Sequence, residues 1–407
     1  MKIGIIGGGA SGLVAAIKAK NEKNEVIIFE RNKECGKKIL MTGNGKCNYW
    51  NESQSLCHYE SSTPDLINQL INDKSEIKVL ELFNKLGVIT KIKNGYYYPF
   101  SNQASTIRNV LLDEVKRMKV IIKTEFLVQN IKKLDNKFII KGNGEEVVVD
   151  KIILSTGSLA APKSGSDGIG LTFLENFHHN IIKPLPALVQ LISDGNYLKD
   201  WNGIRTDVNI SHYENGEFKK KEFGEIQLTN YGVSGICIFN LSNMIAKGLD
   251  KNYKENILIN FLPFLTDYQQ AYDWFIEKTV LTNKSVYDLL ASVLNKKLVD
   301  VLFKVSKITG NSIFNKMEIS EQEKIINACI NFKVNIIGTK SFMEAQVASG
   351  GVTLNEINLN SMESKLVKNL YITGELLDIT GECGGYNLGI AWRTGYLAGI
   401  SAGENND

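Results

Sequence analysis

Apolar and polar positions alternate along this chain in a pattern that changes twice. Residues 2–6 read as a short buried strand, residues 13–20 as a helix and residues 25–30 as a second strand. Four short strands are predicted at 120–123, 126–131, 137–141 and 146–149, separated by turns of Asn, Asp and Gly, and together they suggest a meander. Residues 151–157 and 369–375 are apolar strands that end in Thr-Gly and Gly-Glu. Between them the pattern shifts. Short alternating strands run from 189 to 264, followed by helical spacing at 268–280, 286–305 and 321–331. Tyr96-Tyr-Tyr-Pro-Phe100 predicts a strand and turn entering a helix capped at Ser101 or Asn102, and an apolar helix covers 390–400. The order is that of an α/β chain with an inserted second region.

Glycine placement sharpens the first part. Gly7, Gly9 and Gly12 stand at GxGxxG spacing between the first strand and the first helix, and Glu30 ends the second strand. The three glycines serve a tight turn, backbone approach to a pyrophosphate and close helix-to-strand packing. The helix start offers free N–H groups to phosphate, and Glu30 can accept ribose hydroxyls while disfavouring a 2′-phosphate. This motif alone leaves NAD and FAD open. The meander, the Thr-Gly strand (Thr156, Gly157) and the terminal Gly374-Glu375 favour FAD, because an acid there can bind the polyol of a ribityl chain. Gly384-Gly385-Tyr-Asn-Leu388 then opens the last helix, whose start can face the flavin edge where charge collects on reduction. The pattern resembles the two-dinucleotide-binding-domain flavoproteins related to glutathione reductase.

The chain has 407 residues, enough for two or three domains. Its 47 basic and 44 acidic side chains give a net charge of +3, which excludes a wholly basic nucleic-acid coat. No apolar run reaches the length of a membrane span, no targeting segment is evident, and a cytoplasmic protein is expected. Six cysteines include no CxxC pair, and the four histidines show no metal spacing, so no metal site is expected. Cys47 is the candidate proton donor, since an ordinary thiol is protonated at neutral pH, and Cys383 is a second candidate. Cys35, Cys57, Cys237 and Cys329 read as packing or surface residues.

Gly36-Lys-Lys-Ile-Leu-Met-Thr-Gly-Asn-Gly-Lys-Cys-Asn48 resembles the signature of the RdsA/BaiN/aminoacetone-oxidase-like (YhiN-like) flavoprotein family. Blocks at 95–105, 183–189, 228–235, 344–352 and 361–388 agree in order along the chain. Three departures stand out: Lys46 replaces a usual Arg, Asn230 a frequent His, and Gly389-Ile390 a more polar or aromatic pair. The resemblance implies a discontinuous FAD domain, residues 1–186 and 337–407. The insert at 187–336 would be a β-barrel to about 265 followed by helices. Cofactor contacts are assigned to Gly7, Gly9, Ala10, Ser11, Gly12, Glu30, Arg31, Lys38, Thr42, Gly43, Val128, Thr156, Gly157, Gly374, Glu375, Gly385, Asn387 and Leu388. Substrate contacts are assigned to Lys46, Asn48, Tyr98 and Asn230.

The implied activities are reduction of uridine to dihydrouridine in 23S rRNA, reduction of a steroid-like or bile-acid-like enone, and oxidation of an aminoacetone-like amine. The first two share hydride delivery to a C=C conjugated to a carbonyl, with NADH or NADPH as transient donor. The rRNA substrate is the leading expectation. It leans on three lysine segments that could meet phosphates: Lys37, Lys38 and Lys46; Lys219 to Lys221; and Lys296-Lys297.

Overall fold

A computed structural model describes residues 1–71 and 75–404. The chain divides into two compact units, Met1–Leu185 with Ala345–Asp407, and Pro186–Glu344.

The first unit is built on a sheet of seven strands. In spatial order they are Ile357–Asn358, Glu363–Ser364, Leu370–Ile372, Lys151–Leu154, Lys2–Ile6, Glu25–Phe29 and Ile121–Lys123. The last five run parallel. Lys151–Leu154 is buried at every position and Lys2–Ile6 at all but its first, as a strand covered on both faces requires. The predicted four-stranded meander is corrected here. Its first member pairs in parallel with Glu25–Phe29, leaving three antiparallel strands, Val128–Leu134, Lys137–Gly142 and Glu145–Val149. Helix Ala104–Arg117 begins after Gln103, not at a side-chain cap on Ser101 or Asn102. Ser101 Oγ instead accepts from Gln103 N.

The first helix (Ala10–Ala19) and the last (Tyr386–Gly403) pack through small residues at i+4 spacing. A Cβ on Gly395, Gly399 or Gly403 would lie 2.3, 2.5 or 3.0 Å from backbone atoms of Ser11, Ala15 or Ala19. The last helix therefore sits nearly backbone to backbone on the helix that follows the glycine turn.

The second unit holds a closed six-stranded barrel: Leu191–Ser193, Gly232–Ser234, Glu217–Thr229, Arg205–Glu214, Glu255–Asn260 and Phe332–Thr339. Helix Ile236–Asp250 interrupts the strands between 189 and 264, where only strands were expected. Residues 286–305 form two helices, Val286–Ala291 and Lys296–Ser306, because Asn295 caps the second by accepting from Lys297 N. Tyr268–Thr282 and Ile319–Ile330 match the other helical stretches.

Two neighbouring barrel strands carry a buried polar pair, its carboxylate against Gly248 of helix Ile236–Asp250. His212 Nε2 lies 2.5 Å from Glu255 Oε2, and neither side chain has accessible surface. Desolvation dominates both groups, holding the imidazole well below its ordinary range and pushing the carboxyl up to about 7; Glu214 and Lys219 act secondarily. The raised carboxyl contributes stability that is full below its ordinary 4.5 and lost as pH rises through about 7. The depressed imidazole contributes stability that is full above its ordinary 6.5 and lost as pH falls. The two slopes oppose each other in between. Unfolding free energy should therefore stay level up to about pH 6.5, fall as pH rises through about 7, and be level again by pH 8 in the native chain. Glu255→Gln, which mimics the protonated acid, should remove that fall and add roughly 1–3 kcal/mol at pH 8. Parallel pH profiles of the two proteins would refute this assignment.

Candidate functional site

The site in the first unit begins at the glycine turn. A Cβ on Gly12 would lie 2.0 Å from Gly7 O, so only glycine lets the first helix approach the strand this closely. Gly9 differs. The nearest atom to a Cβ there is Ser155 O at 3.9 Å, so the helix N-terminus opens onto free space. Glu30 is buried beside it. Its Oε2 accepts from Gly8 N at 2.9 Å, and its Oε1 accepts from Asn32 N at 2.8 Å and Nδ2 at 2.7 Å. Three of about four acceptor positions are filled, which leaves one for a ribose hydroxyl. Cys35 packs its Sγ against Gly8, and burial beside Glu30 pushes that thiol up to about 12.

Hydroxyl groups tie the strand ends to this helix. Thr373 Oγ1 donates to Ser11 Oγ at 3.1 Å and lies 2.8 Å from Ser155 Oγ, all three buried. Gly374 follows at φ +64°, and its N–H donates to Thr394 Oγ1 on the last helix. Glu375 Oε1 accepts from Ala348 N at 2.7 Å, while Oε2 is paired with Lys38 Nζ at 2.7 Å. Gly157 stands near this pair: a Cβ there would be 3.9 Å from Glu375 Oε2. Arg31 is paired with Asp167. Val128 is buried in the meander, and Thr156, Ala10 and Leu388 are half-buried.

The 36–48 loop meets the start of the last helix. Gly385 occupies the N-cap at φ +93°, and a Cβ on it would lie 2.8 Å from Trp50 O and 3.0 Å from Asn48 Oδ1. Asn48 Oδ1 is buried without a hydrogen-bond partner among the described residues. Asn387 is committed internally, exchanging hydrogen bonds with Gly381 N and O at 2.9 and 2.8 Å. Thr42 Oγ1 donates to Ile39 O, and Gly43 and Lys46 are exposed. Cys47 is fully enclosed, and burial pushes its thiol up to about 11, offset only in part by Thr42. Cys383 is half-buried. Tyr98 is half-buried on strand Tyr96–Pro99, with burial the main cause of its raised pKa. Asn230 is exposed and belongs to the second unit.

These residues fit FAD on three counts. The space over Gly9 suits a pyrophosphate, the open acceptor of Glu30 suits a ribose, and the orphaned Asn48 Oδ1 suits a ring N–H beside Gly385. Residues 1–401 match the family model described as HI0933-like protein Rossmann domain. The chain belongs to this family. It is an FAD-dependent oxidoreductase of the RdsA/BaiN-like flavoproteins, α/β in class, with a dinucleotide-binding sheet in one unit and a closed barrel in the other.

Among its relatives is a 3-dehydro-bile acid delta(4,6)-reductase of Clostridium scindens, 37% identical over 407 residues and covering 99% of both chains. A ribosomal RNA dihydrouridine synthase of Escherichia coli is 27% identical, covering 96% of this chain and 95% of the relative. The crystal structure of a 3-ketosteroid-delta4-(5alpha)-dehydrogenase from Rhodococcus jostii shares the fold. Its TM-score is 0.51 at 14% identity, covering 99% of this chain and 96% of that one.

Sequence reasoning missed three features of the site: the Ser11–Ser155–Thr373 hydroxyl cluster, the Lys38–Glu375 pair, and the contact of His58 with Glu382 (2.8 Å) and Tyr386 (rings 4.6 Å apart). The Gly395, Gly399, Gly403 spacing was the readable signal for the helix contact. The lysine segments also proved less available than expected. Lys38, Lys219 and Lys220 are each held by a carboxylate, and Lys297 Nζ donates to Asn202 O. Among the described residues no group of acidic, His and Cys side chains is placed to hold a metal ion, and no helix is long and apolar enough to cross a membrane.

Proposed function

We propose that the chain reduces a carbon–carbon double bond conjugated to a carbonyl in a small planar enone, with NADH or NADPH as transient donor. The observation that carries this choice is the pairing of Lys38, Lys219 and Lys220 with carboxylates, which offsets part of the positive charge of two of the three lysine segments that would follow a phosphate backbone. The bile-acid reductase, similar over the full length, supports the same direction. FAD supplies two-electron transfer when bound. The chain's own part is to hold phosphates at Gly9 and a ribose at Glu30, to present the helix start at Gly385, and to deliver a proton. A second reading, uridine in 23S rRNA, is favoured by the exposed Lys37 and Lys46 on the 36–48 loop and by the two dihydrouridine synthase relatives. A cytoplasmic location belongs to either reading.

The test measures NADH and NADPH oxidation by the purified holoprotein with 4-androstene-3,17-dione or a bile-acid enone. Nucleoside mass spectrometry on 23S rRNA from cells with and without the gene runs in parallel. Turnover of the enone with unchanged rRNA dihydrouridine supports the first reading; loss of dihydrouridine without enone turnover overturns it in favour of the second. Cys47 is the proposed acid. Cys47→Ala is expected to lower kcat about 10²-fold at unchanged FAD content. Full turnover in that variant would remove Cys47 from the mechanism.

A further inference from the structure

We propose that Ser53, His58 and Glu382 form a hydrolytic triad that cleaves aryl esters of small carboxylic acids. Ser53 Oγ lies 3.2 Å from His58 Nε2, and His58 Nδ1 lies 2.8 Å from Glu382 Oε2. Hydroxyl, imidazole and carboxylate therefore follow one another as in the Ser-His-Asp hydrolases, each ring nitrogen facing the group it faces there. A carboxylate only accepts, so Glu382 holds the proton on Nδ1 and leaves the Nε2 lone pair to receive from Ser53. A serine hydroxyl is a weak nucleophile by itself, and a base placed and oriented in this way activates it.

Neighbouring contacts hold the groups in place. Glu382 N donates to His58 O at 2.9 Å, the last bond of the antiparallel pairing between Tyr59–Glu60 and Thr380–Gly381. Tyr386 stacks on the imidazole with ring centres 4.6 Å apart. Asn51 Oδ1 accepts from Ser53 N at 2.9 Å, and its Nδ2 donates to Gly384 O at 3.0 Å. Serine and carboxylate are thus tied to the same turn. Ser53 is exposed, as a nucleophile must be to meet an ester, while His58 and Glu382 are half-buried behind it.

In the first step Ser53 Oγ bonds to the acyl carbon and its proton passes to Nε2. The C–O bond to the phenol breaks, and the phenol leaves with that proton. Water then adds to the acyl-serine carbon and gives a proton to Nε2; Ser53 recovers it as the carboxylic acid departs. Ester and water become acid and phenol, and nothing is oxidised or reduced. Ser53 N is committed to Asn51, so it does not stabilise the oxyanion, and only esters with a good leaving group should react. No flavin chemistry enters, so this inference stands apart from the reductase reading.

The experiment treats the full-length FAD-bound protein with 4-nitrophenyl acetate and, separately, with a fluorophosphonate, mapping the labelled peptide by mass spectrometry. Label is expected on Ser53. Ser53→Ala is expected to slow nitrophenol release about 100-fold at unchanged FAD content. His58→Gln should suppress labelling of Ser53 to a similar extent, and Cys57→Ser, which removes the exposed thiol nearby, should change neither readout. Undiminished hydrolysis by Ser53→Ala, label on another residue, or equal labelling of Ser53 after His58→Gln would each overturn the proposal.

Discussion

Gly399→Val is expected to lower the stability of the FAD-binding unit by about 3 kcal/mol or more. A Cβ at this position would stand 2.5 Å from Ala15 O, 2.7 Å from Lys18 Cβ and 3.0 Å from Ala15 Cα. Two of those three atoms belong to a helix backbone and cannot rotate away, so the helices must separate. Separation exposes the small-residue seam and shifts the glycine turn that the first helix carries. Gly389→Ala on the same helix is the control. Its Cβ would meet only Trp50 ring atoms at 3.4 and 3.5 Å, which is ordinary contact. Both substitutions raise helix propensity, alanine by about 1 kcal/mol. Gly389→Ala should therefore leave stability unchanged or slightly raised. Urea unfolding followed by tryptophan fluorescence compares the three proteins. A midpoint for Gly399→Val equal to that of the native chain would show that the seam is loose.

The parts of the fold that were legible in the sequence are those set by local spacing. The glycine turn, the flanking strands and Glu30 lie within thirty residues, and each has a local physical reason for its position. The segment at residues 120–123 was misplaced because its apolar run adjoins the meander in sequence, while its partner strand, Glu25–Phe29, is remote. Helix Ile236–Asp250 was hidden for a related reason. It starts with Ile-Cys-Ile-Phe directly after strand Gly232–Ser234, so its first turn looks like more strand. Its buried set, Cys237, Ile238, Leu241, Ser242 and Ile245, becomes helical only over three turns, and includes polar residues. The His212–Glu255 pair and the meeting of Asn48 with Gly385 depend on tertiary register. No spacing rule reaches them. Charge was read too simply as well: the run Lys219 to Lys221 looked like a basic patch, but Glu214, Glu217 and Glu222 stand beside it on the hairpin and pair with Lys219 and Lys220.

Gly9→Val is expected to reduce FAD affinity about 100-fold while leaving the cofactor-free chain stable to within about 1 kcal/mol. The two effects separate because of what surrounds the position. Gly12 faces Gly7 O, and Gly7 faces Ser155 O at 2.5 Å, so side chains at either would damage the fold directly. Gly9 faces open space, has φ −79°, and precedes the helix as its N-cap, where no side-chain hydrogen bond is lost. Valine fits that backbone without strain. Its methyl groups would instead occupy the volume over the helix N–H groups, where a pyrophosphate must come close. Isothermal titration of the cofactor-free protein with FAD gives the affinity, and urea unfolding of the same sample gives the stability. Unchanged affinity would move the phosphates away from this helix end. Joint loss of affinity and stability would mean that the space over Gly9 belongs to the fold rather than to the ligand.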